Sequence, residues 1–343
     1  MKRHKARVTE MIIWLGVTWM LAAFLMQPAS FVEKTCSGIK TSDGQLPDMT
    51  LDWMQTWGRN MADDYGSGVA VGMDGIYITG QSNVGDTDAF IVKYSSDGTQ
   101  LWNSTWGGIQ YDYVNDVAVA PDEVYIAGFT SSFGSGGDGF LVKYTSTGVQ
   151  LWNKTWGGLD EDEACGIAVA SDAVYIAGVT KSFGRGGGDA FIAKFDASGI
   201  LLWNQTWGGF NYDRAIKIAA ATDGIFIVGE TYSFGSGGSD AFVAKYAPSG
   251  AQLWNCTWGM GTHETGMDIA VTSGAIYIVG RQDIPALDVD GAFIVKFNAT
   301  GAVTWSRTIG DVNDKRFECK TPGSSRSPRP KPELAYLVSL QLN

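Results

Sequence analysis

The stretch Leu101-Trp102-Asn103-Ser104-Thr105-Trp106-Gly107-Gly108 returns almost unchanged at Leu151–Gly158 and Leu202–Gly209. It recurs with one change at Leu253–Gly259, in degraded form at Trp53–Gly58, and fades at Trp305–Gly310. The leading tryptophans stand 49, 50, 51, 51 and 51 residues apart. A fixed period of about fifty residues marks one supersecondary unit copied in tandem. Such an array presents one chemical group several times on a symmetric surface.

One copy, Val114–Gly158, reads as four strands. Val114–Ala120 alternates apolar and polar residues and stops at the turn signal Pro121-Asp122; Val124–Thr130 follows. After the glycine-rich Ser132–Asp138 come Gly139–Tyr144 and Val149–Trp156. Short connections make this an antiparallel meander. A single such sheet, apolar on both faces, cannot bury itself and must stack on its copies. The predicted fold class is all-β: a β-propeller of four-stranded antiparallel blades, its wedges filled by Trp102/Trp106, Trp152/Trp156, Trp203/Trp207 and Trp254/Trp258 and by Phe90, Phe140, Phe191, Phe242 and Phe293. A parallel β-helix is rejected, because its coils are shorter and lack hairpin turns.

The pattern resembles the seven-bladed β-propeller (SBBP) repeat family. The resemblance rests on Asp-Ala-Phe-x-x-Lys at Asp88–Lys93, Asp189–Lys194 and Asp240–Lys245, on Val-Tyr-Ile-Ala-Gly at Val124–Gly128 and Val174–Gly178, and on the recurring Trp-Gly-Gly. It implies a propeller over residues 51–310 and an exported prokaryotic surface or secreted protein, a class mostly without assigned activity. The count departs from the family name. There are five full sets of strands one to three and an orphan fourth strand, Leu51–Trp57, which in a closed ring would complete the last blade. Residues 311–343 lose the pattern and carry Ser-Ser-Arg-Ser-Pro-Arg-Pro-Lys-Pro, hostile to an interior strand. They read as a truncated or frame-disrupted end, or as a diverged blade using Glu333–Leu340.

Lys2, Arg3, Lys5 and Arg7 precede the uncharged apolar run Met11–Met26. Residues 1–30 are therefore expected to be a signal peptide or a helical N-terminal membrane anchor, with 31–50 as linker and the repeats exported to the cell surface. Between residues 51 and 309 there are 13 Lys/Arg and 28 Asp/Glu, a net charge of −15. That field disfavours nucleic acid and anionic lipid, and favours cations, basic proteins or neutral glycans. Cys36, Cys165, Cys256 and Cys319 show neither metal spacing nor a disulfide framework.

Two repeated features should converge on one rim, where the 4–1 and 2–3 loops emerge together. One is an acid six residues after the second Trp: Asp63, Asp112, Asp162, Asp213 and Glu264. The other is the glycine loop closed by Asp138, Asp189 or Asp240. These acids read either as a ligand-binding ring, each contact weak but multiplied, or as turn caps that accept backbone N–H bonds. The strand-3 lysines (Lys93, Lys143, Lys194, Lys245, Lys296) are expected to pair with one of them. The acid-dense Asp160–Glu163 suits calcium, but no EF-hand or nonapeptide calcium repeat is present, and no cofactor is expected. Sequons at Asn103, Asn153, Asn204, Asn255 and Asn298 offer glycosylation sites, with Asn298 in a turn the foremost.

Catalytic signatures are sparse. His4 and His263 are the two histidines, and no nucleophile elbow or helix-capped phosphate loop occurs. The Trp-rich repeat is similar, at that level alone, to pyrroloquinoline-quinone dehydrogenases, without their adjacent cysteines. The expectation is a non-enzymatic surface binding or adhesion module meeting a glycan or protein through its loop face. A surface structural protein and a quinoprotein-like or carboxylate-dependent enzyme are the alternatives.

Overall fold

Apolar alternation broken by glycine turns yields strands throughout the residues that the computed structural model describes, namely 52–58, 63–170, 173–284 and 289–309. Blade 1 comprises β1 (Asp63–Gly72), β2 (Gly75–Val84), β3 (Asp86–Tyr94) and β4 (Gln100–Trp106). Blade 2 comprises β5 (Asp112–Ala120), β6 (Glu123–Thr130), β7 (Asp138–Thr145) and β8 (Gln150–Trp156). Blade 3 comprises β9 (Asp162–Ala170), β10 (Ala173–Thr180), β11 (Asp189–Asp196) and β12 (Leu201–Trp207). Blade 4 comprises β13 (Asp213–Ala221), β14 (Gly224–Thr231), β15 (Asp240–Tyr246) and β16 (Gln252–Trp258). Blade 5 comprises β17 (Glu264–Val271), β18 (Ala275–Ile284), β19 (Val289–Asn298) and β20 (Val303–Ile309). Each blade is an antiparallel four-stranded meander paired in chain order. No helix occurs among the described residues, so none there could cross a membrane. The expected N-terminal helix, linker and C-terminal segment lie outside them.

First strands of successive blades lie against one another, β1 on β5, β5 on β9, β9 on β13 and β13 on β17. The sheets therefore fan out from a shared line of first strands into a propeller-like stack. In blades 1 to 4 the third strands are buried almost end to end, whereas the fourth strands are mostly exposed apart from their tryptophans. The first strand begins earlier than the alternation suggests, at Asp112 rather than Val114 in blade 2. A β-bulge between Val114 and Asp116 breaks the period-2 pattern there.

Two tryptophan contacts recur at each junction. The second indole of one blade packs on the strand-3 phenylalanine of the next: Trp106 on Phe140 at 4.2 Å, Trp156 on Phe191 at 3.9 Å, Trp207 on Phe242 at 4.1 Å. The first indole lies under the 3–4 turn of the next blade and donates its N–H to a turn carbonyl: Trp102 to Ser146, Trp152 to Ala197, Trp203 to Pro248. That turn requires glycine: Gly148 sits at φ 89° with its α-carbon against the Trp102 indole. The segment 52–58 makes no strand pair, yet Trp53 donates to Ser96 O and Trp57 packs on Phe90 at 4.0 Å. It occupies on blade 1 the place that a preceding fourth strand takes elsewhere.

Candidate functional site

The starts of the first strands, the 2–3 loops and the 4–1 loops share one rim. The acids there are buried rather than displayed. Asp112 Oδ2 accepts Gly108 N–H at 2.8 Å and Ser132 Oγ at 2.6 Å, while its Oδ1 accepts the Thr130 hydroxyl. Asp162 repeats this with Gly158 N–H (2.8 Å) and Ser182 Oγ (2.7 Å), and Asp213 with Gly209 N–H (2.8 Å), Ser233 Oγ (2.6 Å) and the Thr231 hydroxyl. Each carboxylate ties a 4–1 loop to the 2–3 loop of its own blade. Asp138, Asp189 and Asp240 are buried too, accepting Ser135, Arg185 and Ser236 N–H at 2.6, 2.8 and 2.8 Å. The proposed ring of ligand-binding carboxylates is therefore corrected: buried charge held by backbone donors forms a set of clips.

Blade 1 corrects the register as well. Asp64 pairs with Ser82 as Asp112 pairs with Thr130, so Asp64, not Asp63, holds the acid position. Asp63 is exposed. One extra residue between Gly58 and the acid shifts the spacing of this copy. At the last junction Glu264 replaces Asp; its Oε1 accepts the Thr262 hydroxyl, and its Oε2 is buried without a partner.

The lysines pair elsewhere. Lys93, Lys143 and Lys245 meet Asp74, Glu123 and Asp223 of the 1–2 turns at 2.5, 2.6 and 2.6 Å, on the opposite rim from the expected acids. Lys93 and Lys143 also donate to the 3–4 turn carbonyls of Ser146 and Ala197 in the next blade.

Asp138 has its carboxyl pushed above the ordinary range by burial and by the neighbouring Asp162, and Asp240 by burial and Glu264. A raised native value contributes stability below the ordinary carboxylate range and loses it as pH rises through that value. The double variant Asp138→Asn, Asp240→Asn keeps an acceptor oxygen for the loop amides. It should gain stability at neutral pH and flatten the dependence of the urea midpoint on pH between the ordinary carboxylate range and neutrality.

Sequence reasoning missed what the rim does expose. The residue after the glycine pair of the first three 4–1 loops projects into solvent, Ile109 at 88%, Leu159 at 86% and Phe210 at 85%; in the fourth, Met260, which replaces the second glycine itself, is 65% exposed. The repeat alignment held this signal, one large apolar residue within two positions of the first glycine in the copies at Gly107, Gly157, Gly208 and Gly259. Behind these tips, Phe133, Phe183 and Phe234 seat the 2–3 loops on Trp106, Trp156 and Trp207 at 5.2, 5.5 and 5.2 Å.

The first strands also carry side chains that differ between copies and join blades. Lys217 Nζ donates to Asp116 Oδ1 at 2.7 Å, and Ile167 N–H to Asp116 Oδ2 at 3.0 Å. Arg214 faces Glu163 at 3.4 Å and Cys165 Sγ at 3.3 Å. Burial pushes the Cys165 thiol up to about 12, so it remains a thiol at neutral pH. Among the described residues no group of three or more His, Cys, Asp or Glu side chains converges as a metal-binding cluster. Asn103, Asn153, Asn204 and Asn255 are exposed on fourth strands; Asn298 is half-buried, its side-chain oxygen accepting Thr300 and Ala302 N–H at 3.0 Å.

No family model matches the chain, and no curated relative does. Solved structures similar to it include a tryptophan-to-alanine variant of apocarotenoid oxygenase from Synechocystis (8% identity, 73% of this chain and 62% of that one, TM-score 0.46). The cobalt-substituted Synechocystis enzyme (9%, 68% and 58%, TM-score 0.43) and an ACO/RPE65 chimera (8%, 71% and 62%, TM-score 0.45) are further examples. The chain spans about six tenths of their length. These neighbours are oxygenases, and against them the expected assignment as a non-enzymatic adhesion module is withdrawn. At such identities and scores they lend this chain no activity of their own.

Proposed function

We propose that the blades belong to a closed β-propeller whose loop rim is a contact surface for a protein partner with apolar side chains. The observation that carries this is the set Ile109, Leu159 and Phe210, large and exposed at equivalent places on one rim, with exposed Met260 one position earlier in its own 4–1 loop. Exposed apolar side chains scattered singly are ordinary; a set repeated around one rim marks an interaction surface. The acid clips hold the loops that present it. Asp160 and Glu161 beside Leu159, within a domain of net charge −15, oppose an anionic bilayer as the alternative occupant. Ring closure is supported by Trp53 and Trp57, whose contacts with blade 1 repeat those of Trp102 and Trp106 with blade 2.

A photo-reactive phenylalanine analogue placed at Leu159 or Phe210 in the producing cell tests the surface. Discrete protein adducts are expected there and not from Leu253, exposed on the outer edge. Lipid adducts alone, or the same adducts from Leu253, would contradict the proposal.

A further inference from the structure

One junction on this rim is built differently. In blades 2 to 4 the glycine loop reaches the next 4–1 loop backbone to backbone. A β-carbon at Gly136 would lie 2.2 Å from Leu159 O, at Gly186 2.7 Å from Gly209 O, and at Gly237 2.3 Å from Gly261 O. In blade 1 the 2–3 connection is a tight hairpin through Gly85, with Asn83 opposite Thr87 and Val84 opposite Asp86. A β-carbon at Gly85 would meet nothing within 4 Å. The shortened hairpin leaves a groove of about 600 Å³ lined by Asn83, Gly85, Asp86, Thr87, Ile109, Gln110 and Tyr111, where the second junction keeps a hollow of about 340 Å³.

The floor of this groove is held in place. Gln110 N–H donates to Ser132 Oγ at 3.0 Å and Ser131 N–H to Tyr111 O at 2.8 Å, so blade 2 fixes the loop while its blade 1 side stays open. Tyr111 is 67% exposed and lines the groove together with Ile109. Thr87 Oγ1 donates to Asn83 Oδ1 at 2.8 Å, which sets the amide nitrogen as that side chain's remaining donor. Asp86 adds an acceptor, and Gln110 a planar amide with both.

We propose that this groove is a binding site for a neutral oligosaccharide. Its volume lies within the range of small-ligand sites. An exposed ring with an apolar flank matches the C–H face of a sugar, and planar amides and a carboxylate match its paired hydroxyls. Asp86 and the acidic domain repel phosphorylated ligands, and the open, half-polar walls do not suit a wholly apolar one. The site shares Ile109 with the protein-contact reading but needs Tyr111 and the short hairpin rather than the tips of the other loops, so either can fail without the other.

Saturation-transfer NMR of the full chain with cellotriose, chitotriose and maltotriose tests it. At least one trisaccharide should show saturable transfer. Tyr111→Ala should weaken that binding at least tenfold, and replacing residues 83–87 with the 131–137 loop should abolish it. Leu253→Ser, on the outer edge away from the groove, should bind as the parent does. Unchanged melting of Tyr111→Ala separates lost contact from lost fold. Absence of transfer with all three sugars, undiminished binding by Tyr111→Ala, or equal loss in Leu253→Ser would overturn the proposal.

Discussion

Gly178→Ala should destabilise the protein by about 3 kcal/mol or more, at the upper end of overpacking effects. The added β-carbon would fall 1.8 Å from Glu163 O and 3.0 Å from Ala164 Cα, both backbone atoms of the adjoining strand. No rotamer relieves that collision, so β9 and β10 must separate where the register already shifts at the bulge between Ala177 and Gly178. Gly80, Gly128, Gly229 and Gly280 stand in the same relation to Tyr65, Tyr113, Arg214 and Thr265, with 1.9 to 2.0 Å to the carbonyl oxygen. The repeated glycine ending Val-Tyr-Ile-Ala-Gly is thus required by a close backbone approach. Equilibrium urea unfolding measures the loss; a change under 1 kcal/mol would mean that the two strands do not approach as described.

Trp156→Ala comes next, with an expected loss of about 3–5 kcal/mol. Its indole is buried in the cluster shared by blades 2 and 3, stacked on Phe191 and supporting Phe183 of the 2–3 loop. The indole fills a wedge between two sheets, and rigid strands on both sides prevent collapse into the void. Leu151, near the start of the same strand, is 49% exposed. Leu151→Ala should therefore cost under about 1 kcal/mol. Comparable losses at the two sites would argue that the tryptophan matters within its own sheet rather than between sheets.

The architecture was legible because tandem copying repeats every packing residue. Trp, Phe and Gly spacings located five four-stranded blades, and strand boundaries in blade 2 differed by one or two residues except at the bulge. The rim was only half legible. Its acids appear in sequence as a periodic set, but periodicity does not distinguish a displayed carboxylate from one buried under Thr and Ser hydroxyls. Nothing in one chain links Asp112 to Thr130 and Ser132 until β5 and β6 are paired. The lysines misled for a related reason: their place near the end of strand 3 is visible in sequence, but the partners there, Asp74, Glu123 and Asp223, emerge only once strands 2 and 3 are paired. The groove at Gly85 follows from a 2–3 connection two to three residues shorter than in blades 2 to 4, a difference visible in sequence whose consequence needs the neighbouring 4–1 loop in place.

The periodic acids are internal clips, and the apolar residues next to them face outward. Urea midpoints of Asp162→Asn and Leu159→Ser, measured side by side at neutral pH, test this directly. Asp162→Asn should lose about 1–3 kcal/mol, because an amide cannot accept all the donors that the carboxylate now holds. Leu159→Ser should stay within about 0.5 kcal/mol of the parent, as an exposed substitution does. A stable Asp162→Asn together with a destabilised Leu159→Ser would contradict the account.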